Sequence, residues 1–492
     1  MSGNQTKLLD TFTDMLNQSL RGLTPQERTQ QNLFNYAFGY LFAFGRRTVT
    51  NAIFAMGRQF HDWSSTYRLF SRVPWDPDDL FDKELREALK YLKKGDPIVF
   101  ALDDVHVGKT GKKIRDVRLV RDPQSPKFRV NLIYALRFIQ LTLLLRPLEE
   151  RGACWSIPSR FRIAPIVKKP KRNASPEEIA EYKQLSKEKS LAIQAAQIVT
   201  ALHERLRQMP DYANRDIYLV VDASYMNKAF LKHIPKDVHV IGRTRKNARL
   251  RAPFNGEGKK RGRRRKYGPA LPTPEEIFKT KWAPAQKCKV YYAGRKRTMK
   301  YQEVGPVFWP GGAGDRPLRL IILSPIPYRR TKKSKLSYRK QAYLLTTDLS
   351  TPVVKLIQQY LDRFQIELNH RDEKDILGIG EMQVRSSLSV ERAAAFAVAL
   401  YSHLLLSALR AYGPGWSRDH YAPLPKWWSR APERPSLQNI LNRLRAEYLM
   451  KANLLDRDEK TGLFHFSRNG RAPVTGKIPL IDPASALIYA KT

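Results

Sequence analysis

The amino-acid sequence predicts a mixed α/β fold, in which helices cover a sheet whose strands end in acidic residues. One short apolar run ends at Asp103, and a second ends at Asp222. Apolar runs of this length, bounded by turn residues, are typical of buried strands. Residues 176–208, which lie between the two runs, have a helical pattern. Strands that alternate with helices indicate a sheet with helices on its faces.

Residues 1–95 are expected to form an all-helical region. Within it, the sequence predicts one helix at 46–56 that stops at a glycine and a second helix at 63–72. Two short helices joined by a turn resemble a helix-turn-helix, in which exposed basic residues of the second helix, here Arg68 and Arg72, contact DNA. The alternative is a pair of packed helices with no role in DNA binding.

Residues 96–243 are predicted to form the first part of the α/β core. Further strands are expected around 117–120 and within 129–145, where the run is long enough for two strands. A short helix at 227–233 and a strand at 238–243 complete the alternating pattern.

Residues 244–345 interrupt this pattern and are interpreted as a basic, β-rich insertion. Strand-like alternation occurs at 289–297, 318–323 and 341–346. A run of lysines and arginines at 259–266 is interpreted as a contact to the DNA backbone.

The chain is then expected to return to the core. Residues 346–413 are its second part, with one helix at 351–377 and a very apolar helix at 393–409 behind it. Residues 414–492 form a C-terminal region, for which the sequence predicts DNA binding or dimerisation.

The charge balance points to a polyanionic partner. The 492 residues include 88 Lys and Arg but only 46 Asp and Glu, a formal net charge of +42. Nucleic acid is the commonest polyanion that such a surface binds. An anionic membrane surface is the rival, but the basic residues are spread through folded segments rather than gathered on one amphipathic helix.

The cysteines and the apolar helices set further limits. Cys154 and Cys288 are far apart, and neither belongs to a metal-ligand motif, which argues against disulfide frameworks and structural zinc and suits a reducing cytosol. The apolar helix at 393–409 contains serine and histidine and is short for a membrane span, so we expect a buried core helix and no membrane partner.

Three acidic positions are candidates for a metal site. Asp103, or its neighbour Asp104, ends one strand; Asp222 ends another; and Glu367 lies on a later helix. Strand ends of an α/β sheet form the crevice where ligands bind. Carboxylates gathered there repel one another unless a cation lies between them, and hard oxygen ligands favour Mg²⁺ or Mn²⁺.

The helix that carries Glu367 has a second notable property. At roughly 100° per residue, Tyr360, Arg363, Glu367 and Lys374 fall within an arc of about 60°. A carboxylate for a divalent cation, surrounded by phosphate-binding groups, is what phosphodiester chemistry requires. The residues expected to attach this helix to the core are Ile357, Leu361, Phe364 and Leu368.

These residues carry a resemblance to a known family. The spacing Tyr360-x₂-Arg363-x₃-Glu367-x₆-Lys374 resembles the Y-R-E-K signature of bacterial insertion-sequence transposases of the DDE type, and in particular the subgroup with a β-rich insertion before the Glu. Residues 103–111 are similar to the first-aspartate motif of that group, although Val105 stands where Thr is usual. Residues 220–225 resemble the second-aspartate motif.

The resemblance implies an RNase H-like core, a mixed five-stranded sheet flanked by helices. It implies that Asp103, Asp222 and Glu367 hold two Mg²⁺ or Mn²⁺ ions. Asp103 fits the motif better than Asp104, which stays an alternative.

The resemblance also implies a set of DNA contacts. Tyr360, Arg363 and Lys374 would bind phosphates near the transposon end, and an aromatic residue of the insertion would stack on a flipped base. Trp309 is the candidate for that stacking role. Further phosphate contacts are expected from Lys109, Lys112 and Lys113.

The implied reaction is hydrolysis at the element end followed by attack of the freed 3′-hydroxyl on target DNA. The alternatives are a metal-dependent nuclease of the same fold, which cuts without joining, and a non-catalytic DNA-binding protein derived from a transposase. The expected partners are double-stranded transposon ends and target DNA. A homodimer in the DNA complex and a bacterial cytoplasmic, nucleoid-associated location are expected as well.

Overall fold

The structure is a computed structural model of the full chain. The basic run predicted at 259–266 lies outside the described residues, apart from Lys266. The described residues are 6–123, 125–126, 128–148, 152–256, 266–331, 334–421, 431–432, 434–451, 455–457 and 464–466.

Helices dominate both ends of this part of the chain. They are α1 (Lys7–Leu20), α2 (Glu27–Phe42), α3 (Val49–Ala55), α4 (Ser64–Ser71), α5 (Pro77–Leu89), α6 (Pro176–Glu188), α7 (Leu191–Arg207), α8 (Lys228–His233), α9 (Pro274–Thr280), α10 (Val353–Asp362), α11 (Phe364–Asp375), α12 (Ser387–Tyr412) and α13 (Leu437–Lys451).

Strands occupy the middle of the chain. They are β1 (Ile98–Gly108), β2 (Arg118–Arg121), β3 (Leu132–Leu145), β4 (Trp155–Ile163), β5 (Ile217–Val221), β6 (Val238–Arg243), β7 (Gln286–Tyr292), β8 (Arg295–Phe308), β9 (Pro317–Leu323), β10 (Ile326–Tyr328), β11 (Ser337–Arg339), β12 (Ala342–Thr346), β13 (Leu455–Arg457) and β14 (Phe464–Phe466).

One mixed sheet of ten strands organises the protein. Its order is β2-β3-β1-β5-β6-β12-β9-β8-β7, and β4 pairs with the other part of β3. β1 pairs antiparallel with β3 and parallel with β5, and β5 pairs parallel with β6. The five strands β4-β3-β1-β5-β6 therefore form a mixed sheet that fits the expected RNase H-like core.

The predicted insertion is built onto this same sheet. β12 pairs antiparallel with β6, and β9, β8 and β7 follow outward from it. The sheet is thus wider than the five strands expected from the sequence. The open edge of β6 offers unpaired backbone groups that another strand can satisfy, and local periodicity does not reveal which edge a later strand will join.

The N-terminal helices share a core with the C-terminal ones. α1 and α5 pack on α12, whose side chains are almost all buried. His403 of α12 hydrogen-bonds Glu84 of α5 over 2.8 Å and the Phe12 carbonyl of α1 over 3.2 Å. Among the described helices, α12 alone is long and apolar enough to cross a membrane, but here protein surrounds it.

The helix predicted at 351–377 is divided. α10 and α11 meet at Arg363, and the expected apolar stripe continues only in part. Ile357 is buried as expected, but Phe364 is 48% exposed and Leu368 is only half-buried. The physical reason is that α11 turns a polar face, rather than an apolar one, toward the sheet.

Buried polar contacts attach this helical pair to β3 and β4. At the junction, Asp362 accepts two hydrogen bonds of 2.5 Å from the guanidinium of Arg146, the residue after β3. About two turns later, Asn369 accepts a 2.6 Å hydrogen bond from the hydroxyl of Ser156 and donates to the Ser156 carbonyl over 3.1 Å. These contacts fix the position of the segment that carries Glu367.

A buried carboxyl lies at the next turn of α11. Gln140 of β3 donates to one oxygen of Glu373 over 2.8 Å, and the other carboxylate oxygen has no hydrogen-bond partner. Burial raises the pKa of Glu373 to about 8, although Gln140 and Lys374 act to lower the pKa. The folded protein therefore holds Glu373 largely protonated at neutral pH.

The ion pair at the helix junction should dominate local stability. Replacing Asp362→Ala removes the carboxylate that pairs with the largely buried Arg146 guanidinium, so we expect the free energy of unfolding to fall by about 3–5 kcal/mol. Denaturant unfolding followed by circular dichroism measures this. The control is Asp10→Ala, which removes an ion pair to Lys451 that is about half-exposed on both sides and should cost less than about 1 kcal/mol. Equal losses of unfolding free energy in the two variants would contradict the inference that the Asp362–Arg146 ion pair dominates local stability.

Glu373 should make stability depend on pH. Below about pH 4.5 both the folded and the unfolded states hold the proton, whereas between about pH 4.5 and 8 only the folded state does. The free energy of unfolding should therefore fall as pH rises through this window, by a few kcal/mol. Glu373→Gln stays uncharged and should lose this fall.

The measurement is the difference in unfolding free energy between Glu373→Gln and wild type at pH 5 and pH 8. The control is Glu204→Gln on the exposed face of α7, which should differ from wild type by less than about 0.5 kcal/mol at both pH values. A difference for Glu373→Gln that does not grow with pH would show that this carboxyl does not titrate as inferred.

Candidate active site

Two aspartates meet at the ends of neighbouring parallel strands. The last residue pair that joins β1 to β5 is Leu102 and Val221. Asp103 and Asp222 are the residues that follow this pair along the two strands, so the register places them side by side. Parallel strands thus bring together two carboxylates that are more than a hundred residues apart in the sequence.

Both carboxylates lie on the face of the sheet that α10 and α11 cover. Successive side chains of a strand point to opposite faces, so the first aspartate shares a face with Ala101 and the second with Val220. Those two residues belong to a buried cluster with Leu356 of α10 and Ile366 of α11. The acidic pair therefore lies at the end of that apolar core, beneath the helix junction.

Arg363, at the junction, connects these acids to Glu367. Its guanidinium donates to Asp103 over 3.2 Å and to Glu367 over 2.8 Å. The pKa of Arg363 rises because Asp103, Glu367 and Asp222 together outweigh the opposing effect of burial. All three predicted acids therefore act on one cation.

The surroundings of Asp103 raise the pKa of its carboxyl. Burial raises the pKa of Asp103 to about 7, against the lowering effect of Arg363, and the neighbouring charges of Asp104 and Asp222 raise the pKa further. A carboxyl in this position is stabilised as the anion when positive charge is added next to it.

Asp104 faces away from this cluster. Its side chain accepts a 3.1 Å hydrogen bond from the hydroxyl of Tyr225, and its backbone N–H donates to Asp103 over 2.9 Å. Burial raises the pKa of Tyr225 far above its usual range, so the phenol remains a donor. Of the two adjacent acids, the structure thus brings Asp103 to Arg363 and Asp104 to Tyr225.

Tyr360 borders the cluster from α10. Its side chain is half-buried, and burial is the main reason that its pKa is raised. The charges of Asp222 and Glu367 also raise the pKa of Tyr360, whereas Arg243 and Arg363 lower it. Its neighbours are thus the acids and two guanidinium groups. Arg243 was not predicted as a site residue from the sequence. Its position at the end of β6, the strand beside β5, could have indicated that it lies near Asp222.

Lys374 lies two helical turns from Glu367, away from the acidic cluster. It is half-buried, and burial lowers its pKa. Its charge helps to lower the pKa of His106 on β1, where burial is again the larger cause. Lys374 thus borders β1 beyond the acids rather than contacting them.

The three lysines that follow β1 differ in exposure. Lys109 is 9% exposed, donates to the Gly380 carbonyl over 3.2 Å, and has a pKa lowered by burial to about 8. Lys112 and Lys113 are exposed, and the ammonium of Lys112 lies 5.4 Å from the ring centre of Tyr134. The phosphate contacts predicted for these three lysines stay predictions. The side chains of Lys112 and Lys113 are more exposed than that of Lys109.

The remaining predicted DNA contacts lie elsewhere. Arg68 and Arg72 are exposed at the end of α4, and α3 packs against α4 as the sequence suggested. Trp309 is half-buried on the turn after β8, where its ring lies over the backbone of Gly312. The roles of these residues in DNA binding remain predictions.

The donor set suits a hard divalent cation. The three acids provide carboxylate oxygens, which Mg²⁺ and Mn²⁺ prefer, and they already share the positive charge of Arg363. Within the described residues, no group of three or more His, Cys, Asp or Glu side chains is arranged closely enough to hold an ion. The acids therefore fit a divalent cation in their chemistry but not in their spacing, because Arg363 occupies the place between Asp103 and Glu367.

Comparison with known proteins identifies the family of the chain. A family model described as DDE superfamily endonuclease matches residues 18–306, more than half of the chain. The matched range includes Asp103 and Asp222 but ends before Glu367. No curated protein matches the chain.

Proposed function

Because the chain belongs to the DDE superfamily of endonucleases, we propose that it is a transposase that cuts DNA at the ends of a mobile element and joins the 3′-hydroxyl ends to target DNA. The observation that carries this proposal is the geometry of the three acids: the register of β1 and β5 places Asp103 beside Asp222, and Arg363 donates to both Asp103 and Glu367. The Y-R-E-K spacing in the sequence extends the proposal to an insertion-sequence transposase of bacterial origin.

In this proposal Asp103, Asp222 and Glu367 would hold two divalent cations. When bound, such ions activate the attacking oxygen and stabilise the leaving oxygen of a phosphodiester. The side chain of Glu367 is 44% exposed and lies at the surface of α11. It can therefore adjust its position while the two strand-end aspartates stay fixed by the sheet.

Arg363 can serve the acids and the DNA together. A guanidinium has five N–H donors in a fixed plane, and two of them are used on Asp103 and Glu367. The others remain for the non-bridging oxygens of a phosphate placed beside the acids. Such charge-assisted hydrogen bonds position the scissile group.

Tyr360 and Arg243 extend this phosphate-binding surface along the β5–β6 side. The raised pKa of Tyr360 keeps its hydroxyl protonated at neutral pH, so it can donate to a phosphate but is a poor nucleophile. That property favours hydrolysis by water over a covalent tyrosine intermediate. A net charge of +42 supplies the non-specific attraction to DNA that both reaction steps need.

The acids should be required for chemistry but not for DNA binding. Asp222→Asn and Glu367→Gln should each lower Mg²⁺-dependent cleavage of element-end DNA by more than about a hundredfold, since loss of a metal ligand exceeds the 10–100-fold cost of losing its supporting partners. Binding of the same DNA in EDTA should change little. The matched control is Asp216→Asn at the exposed opposite end of β5, which should cleave normally.

Plasmid products separate the proposed transposase from its alternatives. Wild type should yield DNA joined to target, whereas cleavage without joined products would indicate a nuclease. Cleavage that persists in Glu367→Gln would refute the site assignment.

The two adjacent aspartates should behave differently. Asp103→Asn should lose cleavage as Asp222→Asn does, because Asp103 faces Arg363. Asp104→Asn keeps an acceptor for the Tyr225 hydroxyl on the other face and should retain cleavage to within about tenfold, the low end expected for a supporting residue. Parallel rate measurements test this, and the reverse order of activities would assign the site to Asp104.

A further inference from the structure

A basic groove lies on the face of the sheet opposite the catalytic acids and belongs to none of the predicted contacts. It has a volume of about 570 Å³ and runs between the β2–β3 edge, the segment that follows β4, and helices α6 and α7. Its charged lining residues are Arg118, Arg137, Lys168, Lys169 and Lys189.

Within the described residues, little of the positive charge of this groove is balanced by acidic side chains. The lining residues include no Asp or Glu, and within the described part of the chain none of the five cations forms an ion pair. Arg118 and Arg137 donate instead to the main-chain carbonyls of Ile166 and Ala164, each over 3.2 Å. These bonds hold the two arginines in place while leaving their charge for a ligand.

The groove is continuous with the catalytic strand. Arg137 of β3 lies directly opposite His106 of β1, three residues beyond Asp103. Burial lowers the pKa of Arg137, and the charge of Asp104 acts in the opposite direction, which places the guanidinium near that carboxylate. Arg137 therefore lies on the face of β1 that carries Asp104, opposite the face on which Asp103 meets Arg363.

We propose that this groove binds the phosphodiester backbone of DNA on the face of the sheet opposite the catalytic acids. The inference rests on the proposed function, which makes DNA the substrate. Five cations, of which Arg137 alone has an acidic neighbour among the described residues, suit a ligand with repeated negative charges, such as a phosphate backbone. The three lysines are exposed at the rim, and the two arginines lie deeper and are half-buried.

The test compares two triple variants with the same change of net charge. The groove variant is Lys168→Gln/Lys169→Gln/Lys189→Gln. The control is Lys183→Gln/Lys187→Gln/Lys232→Gln, three exposed lysines of α6 and α8 that do not line the groove. The probe is a 30-base-pair DNA duplex, and binding is measured in EDTA over a series of salt concentrations.

The groove variant should bind at least tenfold more weakly at low salt. Its plot of log affinity against log salt should lose about 0.9 in slope for each phosphate contact removed, hence a change of about 2–3. The control should change affinity by less than about threefold. Equal losses in the two triples would overturn the proposal, because only overall charge would then matter.

A second measurement uses the unmodified protein and does not depend on the folding of variants. Acetylation of Lys168, Lys169 and Lys189 should slow at least fivefold when the duplex is bound, whereas Lys183 and Lys187 should react as before. Unchanged reactivity of the groove lysines, or protection by polyglutamate but not by DNA, would overturn the groove assignment.

The two proposals fail in distinguishable ways. If DNA protects the groove lysines but wild type shows no Mg²⁺-dependent cleavage, the groove proposal stands and the transposase proposal fails. If wild type cleaves DNA but the groove lysines are not protected, the transposase proposal stands and the groove proposal fails.

Discussion

The electrostatic coupling of Arg363 to three carboxylates is the interaction on which the site depends. The sheet fixes Asp103 and Asp222 side by side, and two anions at that spacing in a partly buried position repel each other strongly. The guanidinium relieves this repulsion and draws Glu367 into the same group. The site is therefore suited to positive charge, and Arg363 supplies one cation from the protein itself.

That coupling requires α11 to be placed accurately, and buried polar contacts provide the accuracy. A helix held only by apolar packing can slide or rotate with small losses, whereas hydrogen bonds such as Asn369 to Ser156 and Asp362 to Arg146 allow one geometry. The cost is the desolvation of several polar groups, seen in the raised pKa of Glu373. Specific positioning of the Glu367 helix is thus obtained at the expense of some stability.

Much of the site could be predicted from the sequence because its signals are local. A buried strand that ends in an aspartate is visible as an apolar run, and both β1 and β5 were located in this way. The strand predicted at 238–243 coincides with β6 (Val238–Arg243). The order of Tyr360, Arg363 and Glu367 on one helical face needs only the helical period.

The features that sequence reasoning missed depend on distant partners. β4 (Trp155–Ile163) was not predicted; it contains Pro158, which disfavours strands away from an edge, and its apolar character only makes sense beside β3. The helix expected at 176–208 is two helices, because Ser190 begins a new one. The break at Arg363 lies next to the Asp362–Arg146 ion pair, whose members are more than two hundred residues apart.

The choice between Asp103 and Asp104 shows the same limit in its smallest form. Strand alternation guarantees that adjacent acids face opposite sides, but it does not say which side the Glu367 helix will cover. That side is set by the apolar residues that α10 and α11 bury, which include Ala101 and Val220. Asp103 therefore lies on the side of the sheet that α10 and α11 cover, where it contacts Arg363. Asp104 lies on the opposite side, near Tyr225 and Arg137. The catalytic acids and the basic groove consequently lie on opposite faces of the same strand, β1, and the alternation of its side chains separates their charges.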